Sequence, residues 1–247
     1  MHKIHDRIQN PIGNKLRVTL IGCGGTGSLV LSILSRFAYA MLHLKQLEIE
    51  VNVFDGDVID PNNPCRQGFS PNEVGLFKNT TLISRINRFW NINWKALPDF
   101  AKKENLISNM GQIVITATDT RTSRKMVYEA IKTNNKKFTH LNERHVYYWI
   151  DLGNSKTTGN VILTDFKTME SPLDYYKNHD EIEISTPSCS VAQSLNSQNI
   201  LINQHMATMG MSLFWDLINN ETIDYKGIFI NTDRLLFKKI KIPVNKT

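Results

Sequence analysis

The sequence predicts an α/β fold: a Rossmann-like, doubly wound, mainly parallel mixed sheet with helices on both faces and a C-terminal antiparallel hairpin. Three observations predict it. Apolar strand patterns alternate with helical patterns through the first half of the chain. The first strand runs directly into a glycine turn and an apolar helix. Two apolar segments near the end are separated by a short polar turn. The 247 residues contain no repeat or low-complexity linker, which predicts one domain over 1–247.

The elements of the first half are assigned by their hydrophobic period. Apolar or alternating runs predict strands at residues 18–21, 48–54, 94–98 and 112–119. Because the last of these is continuously apolar, we expect it to be buried on both faces. Helices are predicted after the glycine turn, near 79–91 and at 122–134. The first of them carries an apolar stripe of Leu29, Ile33, Phe37 and Ala40.

The second half departs from strict alternation. Two strands at 147–153 and 159–166 are joined by a polar turn, which makes the sheet mixed. The polar segment at about 167–190 predicts a long mobile loop of the crossover type. An apolar helix at 191–219 follows, and the segments 225–231 and 235–242 predict the closing hairpin.

Composition narrows the classes of function. The net charge is +6 and the pI is about 9.2, but lysine and arginine are scattered, which disfavours specific nucleic-acid binding. An anionic small molecule or acidic protein partner suits this charge.

No apolar run reaches spanning length and the first residues lack a signal-peptide core, so we expect a cytoplasmic protein with no membrane contact. Three cysteines without a C-x-x-C pair indicate a reducing compartment and no structural zinc.

The glycine turn is the first candidate site. Gly22, Gly24 and Gly27 satisfy G-x-G-x-x-G, and Gly25 adds a further open backbone position. Such a turn lets phosphate oxygens approach the backbone N–H groups at the positive end of a helix. The motif alone is weak, because a tight strand-to-helix turn needs the same residues.

Two carboxylates follow later strands, and ligands of parallel sheets bind outside the carboxyl ends of the strands. Asp55 follows the second strand, where an acid accepts hydrogen bonds from ribose hydroxyls; the alternative is a surface acid in a turn. Asp119 ends the run at 112–119, with Arg124 one helical turn onward. Asp119 is a candidate Mg²⁺ ligand, and it could also cap the following helix.

A polar loop supplies the residues that distinguish reaction types. Asn63, Arg66 and Gln67 come shortly after Asp55, and Lys78 follows soon after. Hydride transfer needs no such cluster of cations and amides. Displacement at a nucleotide phosphate does, because charge moves onto the leaving pyrophosphate and fixed cations stabilise it. Each of these side chains taken singly could simply be solvated.

The ordered set of motifs resembles the ThiF/MoeB and ubiquitin-activating-enzyme-like adenylating proteins. It comprises G-x-G-G-x-G, D-x-D-x-V-D-x-x-N-x-x-R-Q, V-G-x-x-K and T-D-x-x-x-x-R. The resemblance extends over nearly the whole chain. The last third, from TPSCSVAQ to YKGIFIN, is more narrowly similar to the ThiF family protein of the plasmid-borne PRTRC gene cassette.

The resemblance implies an adenylyltransferase that activates a small ubiquitin-like protein ending in Gly-Gly. Its terminal carboxylate attacks the α-phosphate of ATP and releases pyrophosphate. The four glycines then lie under the phosphates and Asp55 holds the ribose. Asn63, Arg66 and Lys78 grip the triphosphate, Gln67 supports the loop, and Asp119 binds Mg²⁺.

The resemblance also bears on the cysteines and on assembly. Cys189 matches the position at which some relatives hold an acyl-accepting cysteine, so it is a candidate for thioester transfer; an unreactive thiol is the alternative. Cys23 and Cys65 are expected to be packing residues. Family members often dimerise, and a homodimer is expected here, although Arg7 matches only loosely the arginine that some relatives supply in trans.

Two other functions remain open at this point. A nicotinamide-dependent oxidoreductase explains the glycines and Asp55 but gives Arg66, Lys78 and Asp119 no role. A catalytically silent nucleotide-binding scaffold explains all of these residues without turnover.

Overall fold

The computed structural model describes residues 1–64, 66–139, 142–178 and 201–242. Within these ranges, eight strands form one sheet in the order β10-β9-β7-β6-β5-β2-β3-β4. Its strands are β2 (Lys15–Ile21), β3 (Glu48–Phe54), β4 (Lys95–Leu97), β5 (Ile113–Thr116), β6 (Tyr148–Asn154), β7 (Thr158–Thr164), β9 (Tyr225–Asn231) and β10 (Leu236–Lys241). Two short strands, β1 (His2–Lys3) and β8 (Thr222–Ile223), pair separately.

The helices connect these strands. They are α1 (Asp6–Gln9), α2 (Gly25–Lys45), α3 (Lys78–Trp90), α4 (Lys103–Asn109), α5 (Arg121–Lys137), α6 (Pro172–Asn178) and α7 (Ile202–Asn219). Short 3-10 turns lie at Ile12–Asn14 and Pro71–Glu73.

The sheet has a parallel half and an antiparallel half. Strands β4, β3, β2, β5 and β6 are parallel neighbours, whereas β7, β9 and β10 add antiparallel pairs. The carboxyl ends of the parallel strands therefore share one edge, which we call the carboxyl edge. The opposite edge is the amino edge. The mixed sheet with a closing antiparallel hairpin confirms the fold class that the sequence predicts.

Helices cover both faces of the sheet, as the alternation along β5 shows. Ile113 and Ile115 join the larger apolar cluster, which contains side chains of α2, α3 and α7. Val114, between them, joins a second cluster with side chains of α4 and α5. Because successive strand residues point to opposite faces, the central strand is buried on both sides, as its apolar run predicts.

Some sequence-based boundaries are wrong. The strand predicted at 112–119 ends at Thr116, and α4 and α6 are short helices that the sequence analysis missed, the second of them within the polar segment 167–190. The buried side of α2 carries Val30, Leu31, Leu34, Ala38 and Met41. The predicted stripe of Leu29, Ile33, Phe37 and Ala40 is only partly buried beside it. Residues 179–200 lie outside the described chain.

Among the described residues, one helix, α2, is long and apolar enough to be compared with a membrane span. It has 21 residues, and an 18-residue window within it has a mean hydropathy of 1.3, enough by length and composition to cross a membrane. Its apolar residues instead pack against the sheet and α7 in the larger cluster. A core helix passes the same test, so its hydropathy is explained by burial within the domain.

Candidate functional site

The glycine turn joins β2 to α2 at the carboxyl edge and requires glycine at two positions. Gly22 has φ of +97°, a conformation that favours glycine, and an added Cβ would lie 2.5 Å from the Ala117 carbonyl oxygen. A Cβ on Gly27 would overlap the Gly22 carbonyl oxygen. These two glycines therefore let β2, the end of β5 and α2 approach each other closely.

The other two glycines have different surroundings. Gly24 precedes the first residue of α2, no side chain caps the helix there, and an added Cβ would meet nothing within 4 Å. Gly25 is covered by the Asn203 side chain of α7, whose Oδ1 accepts a hydrogen bond from the Thr26 hydroxyl at 3.2 Å. Gly24 is thus the open backbone position, and Gly25 allows α7 to pack on the turn.

Asp55 ties the end of β3 to the glycine turn. Its Oδ2 accepts a hydrogen bond from the Cys23 N–H at 2.5 Å, and its Oδ1 accepts one from the Asp57 N–H at 2.9 Å. Burial raises the pKa of Asp55 and outweighs these hydrogen bonds and nearby Lys78, all of which lower it. A carboxylate has about four acceptor positions, so acceptor capacity remains for a ligand hydroxyl.

The loop that follows folds back against the first turn of α2. The Asn63 carbonyl accepts from the N–H groups of Arg66 and Gln67 at 3.0 and 2.9 Å, which closes a compact turn. The Gly68 N–H donates to the Ser28 hydroxyl at 3.1 Å. The contact with Ser28 places Arg66 and Gln67 beside the glycine turn, although about 40 residues separate these segments in the sequence.

Lys78 reaches the same edge from the start of α3. Its Nζ lies 2.9 Å from Asp57 Oδ2, and its backbone N–H donates to the Asp57 carbonyl at 3.0 Å. The Lys78 side chain is 9% exposed, whereas that of Asp57 is 53% exposed. Asp57 orients this cation near Asp55, and the sequence analysis did not assign it a role.

Asp119 also lies at the carboxyl edge, beyond the end of β5. It is exposed. The suggestion that it caps the following helix is wrong, because Thr120 is the cap residue and its hydroxyl accepts from the Ser123 N–H at 3.1 Å. Its predicted role as a Mg²⁺ ligand remains a prediction.

A buried polar network adjoins this edge, and sequence reasoning missed it. Arg124 Nε lies 3.0 and 2.9 Å from the two carboxylate oxygens of Asp151 on β6. The Tyr176 hydroxyl of α6 donates to Asp151 Oδ2 at 2.7 Å, and the Thr116 hydroxyl donates to Oδ1. Trp149 Nε1 donates to the Thr116 hydroxyl at 2.8 Å. The only sequence signal was an acid within an apolar strand, which needs a partner when buried.

Two buried oxygens at the edge suit a ligand with hydrogen-bond donors. Among the described residues, neither Gln67 Oε1 nor Thr118 Oγ1 has a hydrogen-bond partner, although both atoms are buried. Thr118 lies against Gly22, since a Cβ there would be 3.6 Å from its methyl carbon. Buried polar atoms normally find partners. Together with the open backbone at Gly24, they are compatible with a bound nucleotide.

Of the three cysteines, Cys23 lies within the described part of the chain. Cys23 lies in the glycine turn and is fully buried, and burial raises the pKa of its thiol well above the usual value. This agrees with the expected packing role. Cys65 and Cys189 lie outside the described residues.

The chain is similar to known proteins in both sequence and structure. Residues 1–246 match the sequence model of the ThiF family. A search of curated proteins finds no significant match. Among solved structures, selenomethionine PaaA is similar with a TM-score of 0.63 and 15% identity over 96% of this chain and 65% of PaaA. E. coli MccB is similar with a TM-score of 0.63 and 17% identity over 96% of this chain and 63% of MccB.

A further structure in this group is E. coli MccB with ATP, with a TM-score of 0.61 and 17% identity over 98% of this chain and 67% of MccB. The chain thus spans about two thirds of the length of these relatives. At these identities, the similarity shows a shared fold.

Proposed function

Because the chain belongs to the ThiF family, we propose that it is an adenylyltransferase that activates the carboxylate of a small protein or peptide with ATP. One observation carries the proposal. The glycine turn, Asp55, the loop of Arg66 and Gln67, and Lys78 meet at one edge of the sheet. MccB has been solved with ATP and with MccA, which supports a nucleotide site and a peptide substrate in this fold.

We assign nucleotide binding to the backbone of the glycine turn and to Asp55. We assign the triphosphate to the turn containing Gly22, Gly24, Gly25 and Gly27, where helix N–H groups and the helix dipole favour anions. The remaining acceptor positions of Asp55 suit the ribose hydroxyls. Asp55 must be ionised to accept hydrogen bonds from both ribose hydroxyls. Because burial raises its pKa, we expect nucleotide affinity to fall as the pH is lowered, and to do so at a higher pH than with a carboxylate of ordinary pKa.

The reaction follows from this placement. A substrate carboxylate oxygen attacks the α-phosphorus, the bond from that phosphorus to the bridging oxygen breaks, and pyrophosphate leaves with the electron pair. A carboxylate is already ionised at neutral pH, so the protein needs no general base. Its contribution is orientation and charge stabilisation, for which we assign Arg66, Lys78 and Asn63, with Gln67 supporting the loop.

A magnesium ion bound with ATP would supply positive charge to the phosphate oxygens. Asp119 fits as a ligand by chemistry and position, because Mg²⁺ commonly takes one or two carboxylates together with phosphate oxygens and water.

Further parts of the proposal rest on the resemblance of the motifs. They are a ubiquitin-like substrate ending in Gly-Gly, thioester transfer to Cys189, a homodimer, a cytoplasmic location and a place in the PRTRC cassette. Each is separable from adenylation and needs its own test.

Pyrophosphate exchange tests the central proposal. Purified protein is incubated with ATP, Mg²⁺ and labelled pyrophosphate, with small proteins encoded beside its gene as candidate substrates. We expect label to enter ATP only with one partner whose terminal carboxylate is intact, and a partner with an amidated C-terminus is the matched control. Arg66→Ala should slow exchange about a hundredfold, as loss of about 3 kcal/mol of transition-state stabilisation requires. Tight NAD(H) binding without exchange would instead identify an oxidoreductase, and ATP binding without exchange would identify a scaffold.

A further inference from the structure

A second cavity lies at the amino edge of the sheet, away from the nucleotide crevice. Its volume is about 410 Å³, within the usual range for small-molecule sites. Tyr148 is the first residue of β6 and pairs with Ile113, the first residue of β5. Asp165 follows β7, which runs antiparallel and so ends at this same edge. Ligands of parallel sheets bind at the carboxyl edge, so nucleotide binding does not explain this cavity.

Aromatic rings form its walls. The His5 ring lies 4.1 Å from the Tyr147 ring at 35°, and the His145 ring lies 4.9 Å from the same tyrosine. Phe166 lines the cavity as well and stacks on Tyr128 at 6.4 Å. Because these rings pack on neighbouring aromatic side chains, they are held in place and present a preformed surface for another planar ring.

The polar groups inside the cavity are engaged with one another. His2 Nε2 lies 3.1 Å from the Tyr148 hydroxyl. The Asp165 carboxylate accepts from the backbone N–H groups of residues 167–169 and from the Thr168 hydroxyl. Burial raises the pKa of Asp165, but these hydrogen bonds outweigh it and hold the pKa below its usual value. Its negative charge is thus stabilised within its own turn.

The cations around the cavity are more available to a ligand. Lys3 and Lys167 both line it and are exposed. Lys3 has a distant carboxylate neighbour, Asp6 at 3.9 Å, and both side chains of that pair are about 80% exposed. Lys167 forms no ion pair with any residue in the described part of the chain. The cavity therefore combines an aromatic interior with two exposed ammonium groups.

We propose that this cavity binds a small planar aromatic acid, with its ring against Tyr147 and Phe166 and its anionic group toward Lys3 and Lys167. A metal ion is a poorer occupant, because the described ranges hold no group of three histidine, cysteine or acidic side chains placed to bind one. The proposal goes beyond adenylation and does not depend on it.

The test uses the full chain and two probe molecules. Binding of 2-naphthoate and of its neutral isostere 2-naphthamide is titrated by calorimetry, with and without saturating ATP. We expect saturable binding of the acid, weaker binding of the amide and no displacement by ATP. Lys167→Glu should weaken binding of the acid about three- to tenfold, because it replaces an attractive charge with a repulsive one.

Lys95→Glu is the matched control, since it makes the same charge change on the edge strand β4, which is separated from β6 by β5, β2 and β3. It should change binding less than about twofold, as expected for a distant screened charge. Three results would each overturn the proposal: no saturable binding of 2-naphthoate, equal effects of the two lysine variants, or displacement by ATP. Failure of pyrophosphate exchange would leave all of these measurements intact.

Discussion

Two cation–carboxylate pairs at the carboxyl edge have similar distances but different exposure. Lys78 Nζ lies 2.9 Å from Asp57, whose side chain is 53% exposed. Arg124 Nε lies 2.9 Å from Asp151, whose side chain is 0% exposed. The first pair can exchange its carboxylate for a ligand because water solvates the released Asp57. The second cannot open without leaving a buried charge unpaired.

The difference in exposure supports the proposal that Lys78 acts on a phosphate, whereas Arg124 is a structural cation. Asp57 holds Lys78 in place and, being exposed, would be solvated if Lys78 moved to a ligand. Arg124, which the T-D-x-x-x-x-R motif also includes, is committed to Asp151 and joins α5 to β6 and, through Tyr176, to α6. Distance alone does not distinguish the two roles, whereas the exposure of the carboxylate does.

The largest expected effect comes from breaking the buried pair. Arg124→Met should lower the free energy of unfolding by about 3–5 kcal/mol, because the Asp151 carboxylate, which is 0% exposed, would stay buried without its cation. Urea denaturation measures the change. The matched control, Lys78→Met, should cost no more than about 1 kcal/mol, because the Asp57 carboxylate that it leaves behind is 53% exposed and solvated. Equal losses in the two variants would show that the exposure of the carboxylate does not distinguish the two pairs. If Arg124→Met does not fold, Arg124→Gln supplies the comparison.

The second prediction concerns the exchangeable cation. Lys78→Gln should slow ATP-dependent pyrophosphate exchange about a hundredfold, since it removes a preorganised cation worth about 3 kcal/mol in the transition state. The free energy of unfolding should change by only about 1 kcal/mol. Exchange rate and urea midpoint are measured on the same preparation. A loss of stability that accounts for the whole loss of rate would contradict the functional role.

A smaller effect is expected from the hydroxyl that joins α6 to the buried pair. Tyr176→Phe removes the 2.7 Å hydrogen bond to Asp151 and should cost about 1.5–3 kcal/mol, the usual value for a bond to a charged group. Tyr175→Phe is the control, because its hydroxyl donates to a neutral amide, Asn160 Oδ1, at 3.1 Å. Equal denaturation midpoints in the two variants would show that the hydrogen bond from Tyr176 to the charged Asp151 carboxylate stabilises the fold no more than a bond to a neutral amide.

The smallest effect tests whether Asp57 competes with phosphate. Asp57→Asn removes a negative charge beside Lys78 and should tighten ATP binding about two- to fivefold, a gain of up to about 1 kcal/mol. Fluorescence titration with a labelled ATP analogue measures it, and Asp60→Asn serves as the control within the same loop. Weaker ATP binding in Asp57→Asn would show that Asp57 aids ATP binding by orienting Lys78, and that this effect outweighs any competition between Asp57 and the phosphate for Lys78.

Hydrophobic period predicted strand limits well where burial alternates along the strand, and less well for β5, which is buried on both faces. The limits of β3 match the predicted 48–54, because alternating burial leaves little freedom of register. Helices α4 and α6 were missed, since each has only seven residues and is stabilised by packing rather than by its own pattern. The stripe of α2 was misjudged because the buried side chains of this helix are those next to the predicted stripe, and the local pattern does not show which of two adjacent apolar stripes faces the core.

The candidate site was predicted in part. The sequence did not reveal the side chains that form ion pairs and hydrogen bonds with the candidate residues. The sequence supplied Asp55, Arg66 and Lys78 as candidates through the chemistry of a nucleotide site. It did not supply Asp57 as the partner of Lys78, or the Asp151 network. Such contacts join residues 21 to 35 positions apart, and only the packing of different elements brings them together.

By itself, the sequence determined the alternation of elements, the glycine turn and the ordered set of polar residues at strand ends. These are local properties, set by hydrophobic period and backbone freedom within a few residues. Tertiary structure decided which carboxylate holds which cation, how far water reaches each pair, and that aromatic and histidine side chains enclose a cavity at the amino edge. Burial and partner choice depend on several elements at once, so they arise only when the sheet and both helical layers are assembled.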